Sequence, residues 1–167
     1  MQIEFHPADD SEALVRAADE YRTIWDSDSV EILRAVRRNT GLEFAEDAVT
    51  ATVHNGMSRS HPLQLRANQP KELKQATLVH ELLHRLCVSN NVQLIDDSES
   101  FILAGHKVIY LVLYDILSDI YGRKLAETAR KTESTRNDEY RQAWDWALSH
   151  DKQQRLKMFK TLRSKNI

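Results

Sequence analysis

The sequence predicts an α+β fold: a helix-rich single domain with a small β-sheet, or hairpin, packed against one central helix. Apolar residues recur at helical spacing through most of the chain, whereas one stretch near its middle has the alternation and β-branched content of strands. With 167 residues, 41% of them hydrophobic, the chain can bury one core. We therefore expect one domain over residues 1–167, to which the helices of 123–165 belong as an appendage.

The first 41 residues are expected to form a short strand and two helices. Residues 2–5 alternate between polar and apolar side chains, and Pro7 ends that strand. The acidic pair at 9–12 has the spacing of a capping box and begins the first helix. A second helix is expected to begin at Asp28 and to end at Gly41, because glycine commonly follows the last helical residue.

A β-hairpin and two long helices are expected next. Residues 49–54 are rich in β-branched side chains, Asn55-Gly56 is a strong hairpin-turn signal, and residues 63–67 alternate on the way back. Capping residues and apolar spacing then predict one helix over 70–88 and another over 97–121.

The first of these helices contains the motif His-Glu-x-x-His, in which His80 and His84 enclose Glu81. Residues four apart on a helix lie one above the other, so both imidazoles can bind a single ion. Zn²⁺ suits this pair, because catalytic zinc takes three protein ligands and leaves one position for water. Glu81 is then a candidate general base for that water. The alternative is an amphipathic helix that carries two histidines by chance.

The stretch from Thr77 to Leu86 resembles the zincin superfamily of metallopeptidases, although Arg85 stands where the zincin pattern has an uncharged residue. The resemblance implies a zinc cofactor and a peptide or protein substrate. It also implies that the strand of 49–54 is an edge strand, which pairs with the substrate backbone. The compact intracellular zincins of the repressor-cleaving ImmA/IrrE type and the SprT-like type are loosely similar to this chain.

A third metal ligand is expected from the helix of 97–121. This helix is apolar nearly all round, so His106 needs an explanation, and Gly105 beside it would let the two helices approach closely. Because one zincin type uses a glutamate on the following helix, Glu99 and Glu127 remain alternatives to His106. A buried neutral histidine that binds no metal is the other interpretation of His106.

Three further side chains are candidates for the cleft. Tyr110 lies one turn beyond His106 on the same helix face, and its phenol could donate to the oxyanion of a tetrahedral intermediate. The competing interpretation is a core tyrosine. His54 and His61, near the predicted hairpin, could face the cleft or remain ordinary loop residues.

Composition limits the class of protein. Cys87 is the single cysteine, which excludes a disulfide within the chain and favours the cytoplasm. Lys107 and Asp115 interrupt the most apolar segment, so no membrane span is expected. A net charge of −2 argues against general polyanion binding, although the basic residues of 152–165 keep nucleic acid as an alternative partner.

These observations predict a cytoplasmic zinc-dependent peptidase in which His80, His84 and His106 bind the metal and Glu81 activates water. The alternative from a different class is a metal-binding regulatory or interaction module without peptidase activity.

Overall fold

The computed structural model describes residues 1–96 and 98–164, and it confirms the predicted α+β class. Asp97, the expected start of one helix, and Lys165, the expected end of the last, lie outside the described residues. The elements in chain order are β1 (Gln2–Pro7), α1 (Glu12–Thr40), β2 (Ala48–His54), β3 (Leu63–Arg66), α2 (Lys71–Ser89), α3 (Phe101–Tyr121), α4 (Arg123–Ser134), α5 (Asp138–Leu148) and α6 (Lys152–Ser164).

The three strands form one parallel sheet in the order β1-β2-β3. Ile3 lies opposite Val49, and Ala51 lies opposite Leu63. Buried and more exposed residues alternate along the strands, so one face of the sheet packs on the core and the other carries polar side chains. Helices α1 and α2 pack against this sheet.

The predicted hairpin between β2 and β3 is wrong, because the chain reverses direction twice between the strands. Neither Asn55 nor Gly56 has the positive φ that a type I′ hairpin turn requires. Arg59 instead forms an antiparallel bridge with Gln64, with N···O distances of 2.9 and 2.8 Å. Strand β2 is therefore the central strand, so the prediction that 49–54 forms the substrate-pairing edge is also wrong.

A single helix, α1, replaces the two helices expected before Gly41. The Ser27 hydroxyl donates to the Thr23 carbonyl at 2.7 Å, so it is satisfied within the helix and does not cap a new one. Trp25 and Ile32 are both buried, and this keeps the helix on the core across the expected break. Gly41 ends α1 as predicted, with a φ of 67°.

Helix α3 is the central helix and packs against α1, α2, α4, α5 and α6. By length and composition it is apolar enough to cross a membrane, so the sequence argument against any such segment was too strong. In the fold, 61% of its most apolar 18-residue window is buried. Helices α4 to α6 contribute Ala126, Trp144 and Phe159 to the same core as the sheet.

A buried ion pair attaches α6 to the central helix. Arg155 Nη2 donates to Asp115 Oδ2 at 2.7 Å, and the two side chains are 7% and 9% exposed. We expect Asp115→Ala to lower the free energy of unfolding by about 3–5 kcal/mol, because it leaves the Arg155 charge buried without its partner. Urea denaturation measures this change. The matched control is Glu31→Ala, which removes a solvent-exposed pair with Arg34 and is expected to cost less than about 1 kcal/mol; equal losses in the two variants would contradict the prediction.

Candidate metal centre

Three histidines from two helices converge on one point. His80 and His84 lie one turn apart on α2, and His106 faces them from α3, with ring centroids 4.9 to 5.3 Å apart. One nitrogen from each ring lies within 4.8 Å of the other two. A tetrahedral ion with metal–nitrogen distances of about 2.0–2.1 Å needs donors roughly 3.3 Å apart, so the nitrogen separations lie within about 1.5 Å of those that such an ion requires.

Hydrogen bonds at Nδ1 orient two of these rings. His80 Nδ1 lies 2.8 Å from Glu133 Oε1, and His106 Nδ1 donates to the Ile102 carbonyl at 2.6 Å. Both Nε2 atoms are thus left for a metal, which is the usual arrangement of ligating histidines. His106 Nε2 is buried and has no hydrogen-bond partner, a state that costs about 1–3 kcal/mol. The donor set therefore fits a cation.

The protonation states of two of the three histidines, His84 and His106, suit metal binding. Burial, together with the neighbouring histidines, lowers the pKa of His84 well below its ordinary value. Burial likewise lowers the pKa of His106 to about 4. Both rings are therefore neutral near pH 7, as a metal ligand must be.

Glu133 on α4 is a functional candidate that sequence reasoning missed. Burial favours its neutral form, but the charge and hydrogen bond of His80 outweigh burial and lower the pKa of Glu133 to about 2. Burial also opposes a charge on His80, yet the charge and hydrogen bond of Glu133 raise the pKa of His80. Trp144 Nε1 donates to Glu133 Oε2 at 3.0 Å, so both carboxylate oxygens are engaged.

A signal for Glu133 was present in the sequence. Ala126, Ala129 and Glu133 follow one another at spacings of three and four, the inward face of an amphipathic helix, and all three are buried. A carboxylate on an otherwise apolar stripe needs a buried partner. The partner, His80, lies 53 positions earlier, and no local pattern links the two.

The histidines and Glu81 open onto one cavity of about 380 Å³. Segment 58–61 lines it on one side and α2 on another, and Phe101, His106 and Tyr140 complete the wall. Glu81 is 6% exposed, and this burial raises the pKa of its carboxyl. The cavity thus holds a carboxylate that exchanges protons more readily near neutral pH than an exposed glutamate does.

Tyr110 and Tyr140 occupy different positions relative to this cavity. Tyr110 is fully buried and stacks on Trp144, with ring centroids 3.8 Å apart. Its role as an oxyanion donor stays a prediction. Tyr140 lines the cavity with its ring centroid 4.1 Å from that of His106, so its phenol is the better placed of the two.

The two alternative third ligands are engaged elsewhere. Glu99 forms an ion pair with Lys107, and Glu127 binds Arg130 on its own helix at 2.7 Å. Neither belongs to the group formed with His80 and His84 among the described residues. The structure thus brings His106, and neither glutamate, to the two motif histidines.

The two remaining histidine candidates, His54 and His61, differ in their position relative to the cavity. His54 organises its own turn, where its ring accepts from Gly56 N and lies 3.2 Å from the Met57 carbonyl. His61 lines the cavity of about 380 Å³ that the three histidines share. Burial, with the nearby charge of Arg85, lowers the pKa of His61.

Arg85, the departure from the zincin pattern, connects α2 to the rim of the cavity. Its Nη1 donates to the Ser60 carbonyl at 2.6 Å, while Nε donates to Glu46 at 3.1 Å and Nη2 pairs with the same carboxylate. The side chain is only 10% exposed. Segment 58–61 is therefore fixed against the helix that carries His80 and His84.

We expect Arg85→Gln to loosen this rim. A hydrogen bond to a charged group contributes about 1.5–3 kcal/mol, so losing it should speed amide exchange at Arg59 and Gln64 by roughly tenfold or more. Hydrogen exchange followed by NMR measures this rate. Arg34→Gln, at an exposed position of α1, is the control and should leave both amides unchanged; unaltered protection in Arg85→Gln would show that the rim is held by other contacts.

Comparison of this chain with family models, with curated proteins and with solved structures finds no match.

Proposed function

We propose that this chain is a zinc-dependent peptidase of the zincin type that acts on a peptide or protein substrate. The observation that carries the proposal is the convergence of His80, His84 and His106 with Glu81 on one cavity. Three of these four residues come from one short stretch of α2, whereas His106 comes from α3. The buried Nε2 of His106 has no hydrogen-bond partner among the described residues, which supports a bound ligand at that nitrogen.

Zinc is the proposed cation because three neutral imidazoles form a donor set that it prefers. Held by three protein ligands, zinc supplies a Lewis acid and lowers the pKa of water to about 7. His80 and His84 bind from one helix and His106 from its neighbour. Glu133 and the Ile102 carbonyl keep His80 and His106 in the orientation that offers Nε2.

Glu81 acts as the proton carrier in this proposal. Its carboxylate accepts a proton from the attacking water, whose oxygen forms a bond to the peptide carbonyl carbon. The same residue then donates a proton to the departing amine as the C–N bond breaks. Tyr140 donates from its phenol to the carbonyl oxygen, where negative charge develops. Burial raises the pKa of Tyr140, which keeps that donor protonated.

The proposal also covers the cellular compartment of the chain and its binding partners. The thiol of Cys87 is buried and is the single cysteine, which fits a reducing cytoplasm. Several basic groups of α6 make contacts within the fold: Arg155 and Lys152 face Asp115, and Arg163 donates to the Thr40 carbonyl. Fewer cations therefore remain for phosphates, and nucleic acid is the weaker partner.

Substitution of Glu81 and of His106 separates catalysis from metal binding. We expect Glu81→Gln to keep one zinc per chain but to lose at least about 100-fold in hydrolysis of fluorescent casein, because the proton acceptor is gone. His106→Ala should lose stoichiometric zinc. Elemental analysis measures the zinc content of each variant, and a casein assay measures its rate of hydrolysis. A zinc-loaded wild type that cleaves neither casein nor a mixed peptide library would contradict the proposal and would favour a metal-binding regulatory module.

Glu133→Gln tests the positioning role of Glu133. Loss of the charge behind His80 should weaken zinc binding by about 10- to 100-fold, as measured by competition with a chromophoric chelator. Glutamine keeps an oxygen acceptor for Trp144, and the melting temperature of the metal-free variant checks that the fold is intact. Glu127→Gln, on the same helix but more exposed, is the matched control and should bind zinc like the wild type. Equal zinc affinity in the two variants would exclude the role.

A further inference from the structure

Two adjoining cavities open where α1 passes the loop before α2 and the first turn of α2. Their volumes are about 460 and 680 Å³, within the range of small-molecule sites. Glu20, Ala67, Asn68 and Lys74 line both of them, and Ala13 and Ala17 leave space on the side of α1. These cavities have no lining residue in common with the cavity at the three histidines.

Lys74 is a buried cation in the wall of both cavities. The residue is 4% exposed, and its ammonium group donates to the carboxylate of Glu20, whose side chain is 45% exposed. An ammonium group carries three N–H donors. Among the described residues Glu20 supplies the one acceptor that contacts Nζ, and the Tyr21 ring centroid lies 5.8 Å from the same nitrogen. Lys74 therefore has donors to spare for a ligand in the cavities.

The start of α2 adds to the positive potential of these cavities. Pro70 stands at the N-cap, and no side chain caps the helix there. The uncapped amides of the first turn, together with the helix dipole, favour an anion. Lys71 and Arg16 join Lys74 in the walls, against a single carboxylate, and Glu72, the acidic residue of that turn, lines neither cavity.

Gln69 holds the loop before α2 in place. Its Nε2 donates to the Tyr21 hydroxyl at 2.9 Å and to Thr77 Oγ1 at 3.0 Å. The backbone N–H of Ala67 donates to the His54 carbonyl at 2.8 Å. The wall is thus fixed before a ligand arrives, so binding would not have to order this loop.

The remaining wall groups favour a hydroxylated ligand. The amides of Asn55 and Asn68 both donate and accept, and Glu20 accepts, so all three can pair with hydroxyl groups. No aromatic side chain of the described residues lines either cavity, so a nucleobase would find no ring on which to stack. Lysine is a common phosphate ligand. We propose that the two cavities, which we name the Lys74 site, bind the phosphate monoester of a sugar.

The Lys74 site is separate from the candidate metal centre. Lys74 precedes His80 by six residues, which is about 9 Å along the axis of α2. Binding there requires neither zinc nor Glu81. The Lys74 site therefore goes beyond the proposed peptidase function, and either proposal can fail without the other.

NMR titration of zinc-loaded protein with glucose 6-phosphate, inorganic phosphate and glucose tests the Lys74 site. We expect glucose 6-phosphate to shift the backbone amide signals of Asn68 and Lys71. It should bind at least about tenfold more tightly than inorganic phosphate, because a site that pairs with hydroxyl groups discriminates against a ligand that lacks them. Glucose, which lacks the charge, should bind at least about tenfold more weakly too. Shifts confined to the surroundings of His84, or equal affinity for the three compounds, would overturn the proposal.

Lys74→Met removes the buried charge but keeps the length of the side chain. We expect it to weaken binding of glucose 6-phosphate by at least about tenfold, because a hydrogen bond between charged groups is lost. Glu20 is partly exposed and stays hydrated, so the variant should fold, which its melting temperature checks. Lys124→Met, at an exposed position of α4, is the matched control and should bind like the wild type. The same affinity in both variants would refute the Lys74 site.

Ala13→Glu tests the site without altering a buried residue. Ala13 is exposed in the first turn of α1, where a carboxylate suits the helix dipole, and it lines one of the two cavities. The added charge should repel the phosphate and weaken its binding by roughly threefold or more at low salt. Val15→Glu, 40% exposed at wild type and outside both cavities, is the control and should bind normally. Unchanged affinity in Ala13→Glu would contradict the proposal even if Lys74→Met failed to fold.

Discussion

The packing of α2 against α3 is the constraint on which the rest of the structure depends. It brings a histidine from an apolar helix against a pair of histidines one turn apart. Neutral imidazoles tolerate this burial better than charged ones, and burial lowers the pKa of His84 and His106 accordingly. The same contact buries His106 Nε2 without a hydrogen-bond partner among the described residues.

Features that depend on helical periodicity were predictable from the sequence. The spacing of His80 and His84, and the isolation of His106 in an apolar helix, predicted the three-histidine cluster, with Glu99 and Glu127 as alternatives to His106. The pairing of β2 with β3 was not predictable, because Asn55-Gly56 turns the chain but does not fix which segment pairs with which strand. Glu133 was missed for a similar reason: its partner is distant in sequence, and α4 has many other charges.

Arg85 illustrates how a departure from a family pattern can be explained by contacts. A charged side chain next to His84 on a buried helix is costly unless each donor is satisfied. Here the guanidinium meets a carboxylate and a backbone carbonyl, and that carbonyl belongs to the segment that forms one wall of the cavity. The arginine therefore couples two parts of the site that the sequence separates by 25 positions.

Four residues that break local rules lie around the cavity that the three histidines line. His106 is a polar residue in an apolar helix, Gly105 weakens that helix without allowing closer packing, Arg85 is a buried charge, and Glu133 is a carboxylate on an apolar stripe. In the strands, by contrast, buried and exposed positions follow the simple alternation. Stability alone would favour alanine at 105 and apolar residues at the other three sites. Such exceptions collect where a protein binds or transforms a ligand, because only function compensates for their cost in stability.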